Sequence, residues 1–248
     1  MDFDQNSDGK HPILTLSILG ANWLDLGNAI KIAEKVNADA IQVDIGDGHF
    51  IPTITLGERL IKHIREVSSI PIEVHLMVSR PQDYFKRLAE FGANSVLIHA
   101  EASPVLYDLI LDARSYDLNV GVALNIATSV STIEPILRYV DMVTLMAIVL
   151  GYAGKPFFPE TIDKLVKLRK MIDQDSDCTA IIQIDGGIKE HNIFTITEAG
   201  MDNVLISSAI YHAQDPVIAA ATLRAGMCSL SELRQRNLSI YLNKLKKK

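Results

Sequence analysis

Short runs of aliphatic and β-branched residues recur along the chain and alternate with segments of helical periodicity. The runs are almost continuously apolar, which is typical of strands buried on both faces of a parallel sheet. The predicted strands are Ile13–Leu19, Ala40–Ile45, Ile72–Met77, Ser95–His99, Asn119–Leu124, Met142–Ile148, Ala180–Ile184 and Asn203–Ile206.

The segments between these runs carry apolar residues at helical spacing. Trp23–Val36 and Phe158–Met171 each set an apolar face against charged residues. Gly92 and Gly200 stand before the fourth and eighth strands, where glycine suits the left-handed end of a helix. Eight alternations without a break in composition predict an α/β protein, a single (β/α)₈ barrel of the TIM type.

A doubly wound sheet is the chief alternative architecture. It usually has fewer strands and often a glycine-rich first turn that binds a nucleotide. Here Leu19–Trp23 follows the first strand and contains no G-x-G-x-x-G. The barrel is therefore favoured, with an N-terminal tail over residues 1–11, the barrel over 12–228 and a C-terminal helical extension over 229–248.

The C-terminal extension has its own pattern. Ser229 and Glu232 have the spacing of a capping box, which predicts the start of a helix there. Its apolar residues favour a helix packed on the outside of the barrel, with a dimer contact as the alternative. They are Leu230, Leu233, Leu238, Tyr241, Leu242 and Leu245.

Composition narrows the class of protein. The 248 residues are 48% hydrophobic, enough for a large core without disulfides or metals. A net charge of −6 argues against non-specific nucleic-acid binding, which depends on Lys and Arg. Met1–His11 lacks the apolar core of a signal peptide, and no run of about 18 apolar residues predicts a membrane span. We expect a cytoplasmic protein with no membrane or nucleic-acid partner.

Polar residues stand at the ends of the predicted strands, where the loops of a barrel converge and active sites lie. A barrel without a function has little reason to bring carboxylates there, because each costs free energy to desolvate. These residues are Ser17, Asp44, His75, His99 with Glu101, Asn125, Asp185, Ser207 and Ser208.

Two of these carboxylates suggest proton transfer. Asp44 and Asp185 end strands 2 and 7, which we place roughly across the barrel from each other. One carboxylate can remove a proton beside a carbonyl and the other can return a proton on the opposite face, which inverts the carbon. A metal ion can stabilise the resulting enediolate, and His75 is a candidate ligand. Individually, a strand histidine is more often a core residue, and an aspartate often caps a helix.

The loops after strands 7 and 8 have a composition that is typical of a phosphate-binding site. Gly186 and Gly187 follow strand 7, and Ser207 and Ser208 follow strand 8. Such loops commonly bind phosphate through backbone N–H groups, and glycine lets the main chain approach closely. The loop Gly151–Lys155 after strand 6 is placed to close over the same end.

Six blocks of the chain resemble the signature blocks of the ribulose-phosphate 3-epimerase family. They run in order from about residue 12 to residue 212, and the D-G-H-F-I-P and V-H-L-M blocks together are specific. The blocks are Leu16–Leu19, Val43–Pro52, Glu73–Met77, Ile98–Glu101, Val122–Asn125 and Ile184–Ile188.

The resemblance implies a TIM-barrel isomerase of carbohydrate metabolism that binds one divalent metal ion (Zn, Fe, Mn, Co or Mg). It implies two aspartates acting as acid and base at C3 of D-ribulose 5-phosphate or D-xylulose 5-phosphate. Carried onto this chain, these are Asp44 and Asp185, which with His75 and the residue at position 42 are also the implied metal ligands. The implied substrate contacts are Ser17, His75, Met77, Met146, Gly154, Asp185, Gly186, Gly187, Ser207 and Ser208.

The chain departs from the family pattern at several positions. Gln42 stands where the family usually has a histidine ligand, and Gly46 replaces a methionine. The loop after strand 6, usually Asn-Pro-Gly-Phe-Gly-Gly-Gln, here runs from Val149 to Lys155. A glutamine carbonyl is a harder and weaker ligand, which suits Mg²⁺ or Mn²⁺ better than Zn²⁺. Gly46 and Lys155 are expected to leave more room and add a positive charge near the sugar.

Three functions remain open on this evidence. An epimerase of pentulose phosphates is favoured, with a hexulose-phosphate (allulose-6-phosphate) 3-epimerase as the alternative substrate class. A decarboxylase or lyase of a related barrel is disfavoured, because no strand end carries a lysine. A catalytically inactive phosphate-binding or scaffold homologue is the third, supported by Gln42 and opposed by the retained Asp44 and Asp185. The expected partners are a sugar phosphate and further copies of the chain in a homo-oligomer.

Overall fold

The strands of this computed structural model form a closed parallel barrel in chain order. The structure describes residues 10–152 and 154–246, so most of the predicted tail, the last two lysines and the loop residue Ala153 lie outside it. Pairing of the first strand with the eighth completes the ring, which confirms the predicted barrel. The strands are β1 (Ile13–Ser17), β2 (Ala40–Gly46), β3 (Ile72–Met77), β4 (Ser95–His99), β5 (Asn119–Leu124), β6 (Met142–Met146), β7 (Ile181–Asp185) and β8 (Asn203–Ile206).

Helices connect the strands and cover the barrel. Between β5 and β6 the connection is instead a 3₁₀ segment, Val130–Tyr139, which contains Pro135. None of the helices in residues 10–152 and 154–246 is long and apolar enough to cross a bilayer. The helices are α1 (Leu26–Lys35), α2 (Arg59–Val67), α3 (Phe85–Glu90), α4 (Leu106–Ser115), α5 (Thr161–Asp173), α6 (Glu190–Glu198), α7 (Ser208–Tyr211), α8 (Pro216–Ala225) and α9 (Glu232–Leu245).

The middle of the barrel interior contains a hydrogen-bonded polar layer. Glu73 Oε1 accepts from Gln42 Nε2 at 2.8 Å and from Gln183 Nε2 at 3.1 Å, and Thr144 donates to Gln183. All four side chains are buried. Burial raises the pKa of Glu73, while the two glutamine amides oppose that rise. The layer supports the residues at the carboxyl ends of the strands from below.

Helix α9 covers the amino-terminal mouth of the barrel. Its Leu238 and Tyr241 pack in one cluster with Ile13, Met142 and Ile181, which are the first residues of three strands. The predicted helix is therefore present and packs on the outside of the barrel, across its amino-terminal mouth. Its buried apolar residues contact the chain's own barrel.

The start of α9 also differs from the prediction. The helix begins at Glu232 with Ser231 as its N-cap residue. The capping box predicted from Ser229 is therefore wrong. Ion pairs hold the helix to the loops below the strands: Arg234 Nε lies 2.7 Å from Asp202 Oδ1, and Lys244 Nζ lies 2.5 Å from Asp141 Oδ1.

Candidate active site

Asp44 lies at the carboxyl end of β2 with its side chain almost fully buried. Its Oδ2 accepts a hydrogen bond from the Ser17 hydroxyl at 2.7 Å. The Thr55 hydroxyl donates to the main-chain carbonyl of Asp44 at 2.6 Å and so holds the following loop against the strand. Two neighbouring strands and one loop therefore fix the position of this carboxylate.

His75 brings an imidazole beside both aspartates. The register of β2 and β3 places it next to Asp44, and its Nδ1 lies 2.9 Å from Asp44 Oδ1 and 3.9 Å from Asp185 Oδ2. Burial acts to lower the pKa of His75, but the hydrogen bond and charge of Asp44 raise it overall. Burial raises the pKa of Asp185 to about 7, with a further contribution from the charge of Asp44.

The ligand atoms of Asp44, His75 and Asp185 all lie within 4.8 Å of one another, so the three side chains could hold a metal ion. Two carboxylates and one imidazole are a donor set that divalent cations accept. Gln42 stands two residues before Asp44 on β2, and its Oε1 is buried with no hydrogen-bond partner among the described residues. Its Nε2 is held by Glu73, which orients the amide.

A second histidine lies behind His75. His99 Nε2 is 2.8 Å from His75 Nε2, and the two rings stack with centroids 5.0 Å apart. His99 Nδ1 lies 3.1 Å from Glu101 Oε2. Burial is the main cause that lowers the pKa of His99 to about 4. Burial acts to raise the pKa of Glu101, but hydrogen bonds from His99, Thr128 and a main-chain N–H outweigh it and lower the pKa to about 2.

The loop after β7 requires its two glycines. Gly186 and Gly187 have φ of +106° and +69°, a region that L side chains rarely adopt. A Cβ on Gly187 would lie 2.5 Å from the main-chain N of Phe157, and one on Gly186 would lie 2.3 Å from the side chain of Ile148. The main chain thus approaches the cavity with no side chain in the way.

The two serines after β8 occupy different positions and make different contacts. The Ser207 hydroxyl donates to the Ser17 carbonyl at 2.7 Å and accepts from the Gly20 N–H at 2.9 Å. This side chain therefore ties β8 to the loop after β1. Ser208 begins the short helix α7 at the edge of the same cavity.

One cavity unites these features. Every metal ligand and substrate contact implied by the family resemblance lines it except Gln42, which lies in the polar layer, whereas the strand-end residues His99, Glu101 and Asn125 do not line it. The functional roles of these residues stay predictions. The predicted residues around the cavity are Ser17, Asp44, His75, Met77, Met146, Gly154, Asp185, Gly186, Gly187, Ser207 and Ser208.

Comparison with known proteins shows the family. The sequence model of the "Ribulose-phosphate 3 epimerase family" matches residues 13–211. A ribulose-phosphate 3-epimerase of Aquifex aeolicus (strain VF5) is 36% identical over 217 residues, covering 88% of this chain and 97% of that protein. The chain belongs to the ribulose-phosphate 3-epimerase family. It is therefore an isomerase, of the epimerase class.

Other relatives agree with this assignment. The ribulose-phosphate 3-epimerase of Bacillus subtilis (strain 168) is 35% identical over 208 residues, covering 84% of this chain and 96% of that protein. Among solved structures, 3-hexulose-6-phosphate synthase from Salmonella typhimurium superposes with a TM-score of 0.66 at 22% identity, over 86% of this chain and 97% of that one. At that identity the likeness shows the shared barrel fold alone.

Two expectations about geometry need correction. In the closed ring only β1 and β8 separate β2 from β7 on the short side, so these strands are not opposite each other. Asp44 and Asp185 therefore lie closer together than the sequence suggested. The expected extra room at Gly46 is also wrong, because a Cβ there would lie 2.7 Å from Ile51 and 2.8 Å from the carbonyl of Thr53.

Several residues in and beneath this cavity could not be or were not predicted from the sequence. Lys189 lines the cavity beside Lys155, and its place directly after Gly-Gly-Ile was an available signal. Glu73 and Gln183 form the polar layer inside the barrel together with Gln42. The sequence does not show which polar side chains of different strands meet, because these strands are buried on both faces and lack an alternating pattern. The contact between His75 and His99 depends on the register of β3 and β4, which the sequence does not show either.

Proposed function

We propose that this chain inverts C3 of a ketose phosphate, interconverting D-ribulose 5-phosphate and D-xylulose 5-phosphate, by proton transfer between two aspartates. The observation that supports it is the convergence of Asp44 and Asp185 in one cavity, with ligand atoms within 4.8 Å. A single acid–base group would return the proton to the face it came from. Two carboxylates reached from different strands can serve the two faces of one carbon.

The two aspartates have different surroundings, which suits different roles. Asp44 accepts a hydrogen bond from the Ser17 hydroxyl and lies against His75 Nδ1. Asp185 has a pKa raised to about 7 by burial, so it can hold or release a proton near neutral pH. In one direction Asp44 takes the C3 proton and Asp185 supplies one to the other face. The roles reverse in the other direction.

We assign the phosphate to the loops after β7 and β8. Gly187, Ser207 and Ser208 line the cavity there, and the glycine carries no side chain to cover its main-chain N–H. Lys155 and Lys189 line the same cavity and add positive charge near a dianionic group. Met77 and Met146, both buried, form an apolar wall with Ile51.

A divalent metal ion belongs to this proposal. Asp44, His75 and Asp185 would hold it, with the partnerless Oε1 of Gln42 as the fourth ligand. When bound, such an ion stabilises negative charge on the substrate oxygens as a Lewis acid. The amide of Gln42 replaces an imidazole and favours harder ions, so we expect Mg²⁺ or Mn²⁺ to be preferred over Zn²⁺.

The substrate is proposed to be the pentulose phosphate. The argument for a longer sugar rested partly on space beside Gly46, and Ile51 and Thr53 fill that space. A homo-oligomer remains our expectation for the assembly.

The test is turnover of D-ribulose 5-phosphate in deuterated water, with D-allulose 6-phosphate as the comparison substrate. Asp44→Asn and Asp185→Asn should each lower the rate of inversion by at least about 10²-fold, since each removes one proton-transfer group. One of them should retain deuterium wash-in at C3, because half of the transfer survives. The exposed Asp163→Asn is the matched control and should keep full activity.

The outcomes separate the parts of the proposal. Inversion unchanged in both variants would reject the assigned roles, and faster turnover of the six-carbon substrate would reject the pentulose assignment. Full turnover by protein shown to be free of metal would remove the ion from the reaction.

A further inference from the structure

A chain of four side chains leads from the cavity to the loop after β5. Asp44 Oδ1 lies 2.9 Å from His75 Nδ1, His75 Nε2 lies 2.8 Å from His99 Nε2, and His99 Nδ1 lies 3.1 Å from Glu101 Oε2. Both histidines are fully buried. The two outer residues, His99 and Glu101, are not among the residues that line the cavity.

The direction of these hydrogen bonds follows from counting protons. His99 Nδ1 faces a carboxylate oxygen, which can only accept, so Nδ1 carries a proton. A buried imidazole with no other partner is neutral, which leaves the lone pair of His99 on Nε2. His75 Nε2 faces that lone pair at 2.8 Å and must be the donor. His75 Nδ1 faces Asp44 Oδ1 at 2.9 Å, so it is this nitrogen that must give up its proton when a metal ion binds.

We infer that His99 and Glu101 are positioning residues that hold a proton on His75 Nε2, so that Nδ1 is the nitrogen that binds a metal ion between Asp44 and Asp185. The inference rests on the proposed metal site. The partner of the outer ring nitrogen commonly sets the tautomer of a metal-binding histidine and the orientation of its ring.

Glu101 is itself firmly held, which makes it a suitable anchor. Its Oε1 accepts from the main-chain N–H of Asn125 at 2.9 Å and from the hydroxyl of Thr128. These contacts fix the carboxylate to the loop after β5. Orientation is thus transmitted from that loop, through β4, to a side chain of β3.

Matched substitutions separate the hydrogen bond from packing. His99→Phe keeps a ring of similar size but removes the acceptor for His75 Nε2–H. His99→Gln retains a carbonyl oxygen that can accept that bond. Glu101→Leu leaves His99 in place but removes the carboxylate that keeps a proton on His99 Nδ1. This variant replaces His99→Phe in the experiment if His99→Phe does not fold.

The first measurement is the affinity of the metal-free full chain for Co²⁺, by calorimetry. We expect His99→Phe and Glu101→Leu to weaken binding by about 10- to 100-fold, and His99→Gln to stay within a few-fold of the parent. Thermal unfolding of the metal-free variants is measured in parallel, so that a general loss of structure is recognised.

The second measurement is the protonation of His75 itself, by ¹⁵N NMR of histidine-labelled protein loaded with Zn²⁺. The parent should show the proton on Nε2, and Glu101→Leu should weaken that preference. A proton on Nδ1 in the parent, Co²⁺ binding unaffected by both substitutions, or a parent that binds no Co²⁺ would each overturn the inference.

These readouts do not depend on turnover. A parent that binds Co²⁺ with the expected tautomer but does not epimerise the pentulose phosphate would reject the proposed function and leave the positioning roles standing. An active parent with the proton on Nδ1 of His75 would reject the positioning roles and leave the proposed function standing.

Discussion

Asp47 uses one carboxylate to organise two loops at the mouth of the barrel. Its Oδ1 accepts from the N–H groups of His49 and Phe50, both at 2.8 Å, and its Oδ2 accepts from the N–H of Ser79 at 2.8 Å. Although burial opposes it, these hydrogen bonds lower the pKa of Asp47 from 3.8 to about 2. A carboxylate with a lowered pKa stabilises the folded state only while it is ionised.

We expect Asp47→Asn to be less stable than the parent at neutral pH, with a Tm lower by roughly 2–4 °C. The contribution of Asp47 is complete above its unfolded pKa of 3.8 and is lost as pH falls through about 2. The difference in Tm should therefore shrink across that window, as followed by circular dichroism. An equal difference at every pH would show that the charge is not responsible.

At the scale of single residues, the identity of the candidate site residues was easier to predict than their hydrogen-bond partners. Asp44, His75 and Asp185 were found because the loops of a barrel converge where the strands end. The partner of Gln42 was not found. Gln42 and Glu73 meet through the register of β2 and β3, and strands buried on both faces lack the alternating pattern that would show it.

Elements were predicted in kind and order, while several of their ends were not. The predicted β1 extends to Leu19, but the strand stops at Ser17, whose hydroxyl accepts the N–H of Leu19 and starts a 3₁₀ turn. The predicted helix Phe158–Met171 is α5, which begins three residues later, at Thr161. Local hydrogen bonds of this kind decide where an element ends, and hydrophobic periodicity does not record them.

The loop after β7 offers a test at the scale of an element. Gly187→Ala would place a Cβ 2.5 Å from the main chain of Phe157 at a φ of +69°. We expect a loss of roughly 1–3 kcal/mol in the free energy of unfolding and a higher KM for the sugar phosphate, because the loop must shift. Urea unfolding and steady-state kinetics measure the two effects.

Gly27→Ala is the matched control for that substitution. Gly27 lies in α1 outside the left-handed region, and a Cβ added there would meet no other part of the molecule within 4 Å. We expect no loss of stability, or a gain below about 1 kcal/mol, and an unchanged KM. Equal behaviour of the two variants would mean that the loop tolerates a side chain at Gly187.

At the scale of the whole molecule, we expect changes in α9 to alter the stability of the fold without altering the candidate active site. Tyr241 is buried beneath the strands, at the end of the barrel opposite the cavity. Tyr241→Ala should lower the free energy of unfolding by about 3–5 kcal/mol, as expected when a large buried ring is removed, and leave KM near the parent value.

Tyr241→Phe is the comparison variant, because it keeps the ring and removes only a hydroxyl that lies 3.5 Å from Glu73 Oε2. Its cost should be below about 1.5 kcal/mol. Denaturant unfolding and steady-state kinetics measure both variants. A large change in KM for either one would show that α9 acts on the site through the polar layer.

The global architecture was the most predictable level, since eight alternations of strand and helix allow few arrangements. The placement of α9 was not predictable in the same way. Its apolar residues show that one face is buried, but the amino-terminal mouth and the outer flank are both apolar surfaces that could receive it.

The hydrogen bond between Gln42 and Glu73 makes changes at these two positions unequal in cost. Replacing Glu73 alone would leave the buried Nε2 of Gln42 without this partner, at a cost of about 1–3 kcal/mol. Replacing Gln42 alone removes one of two donors, because Glu73 Oε1 still accepts from the amide of Gln183. During evolution position 42, and metal preference with it, can therefore change before position 73, whereas the reverse order passes through a less stable ancestor.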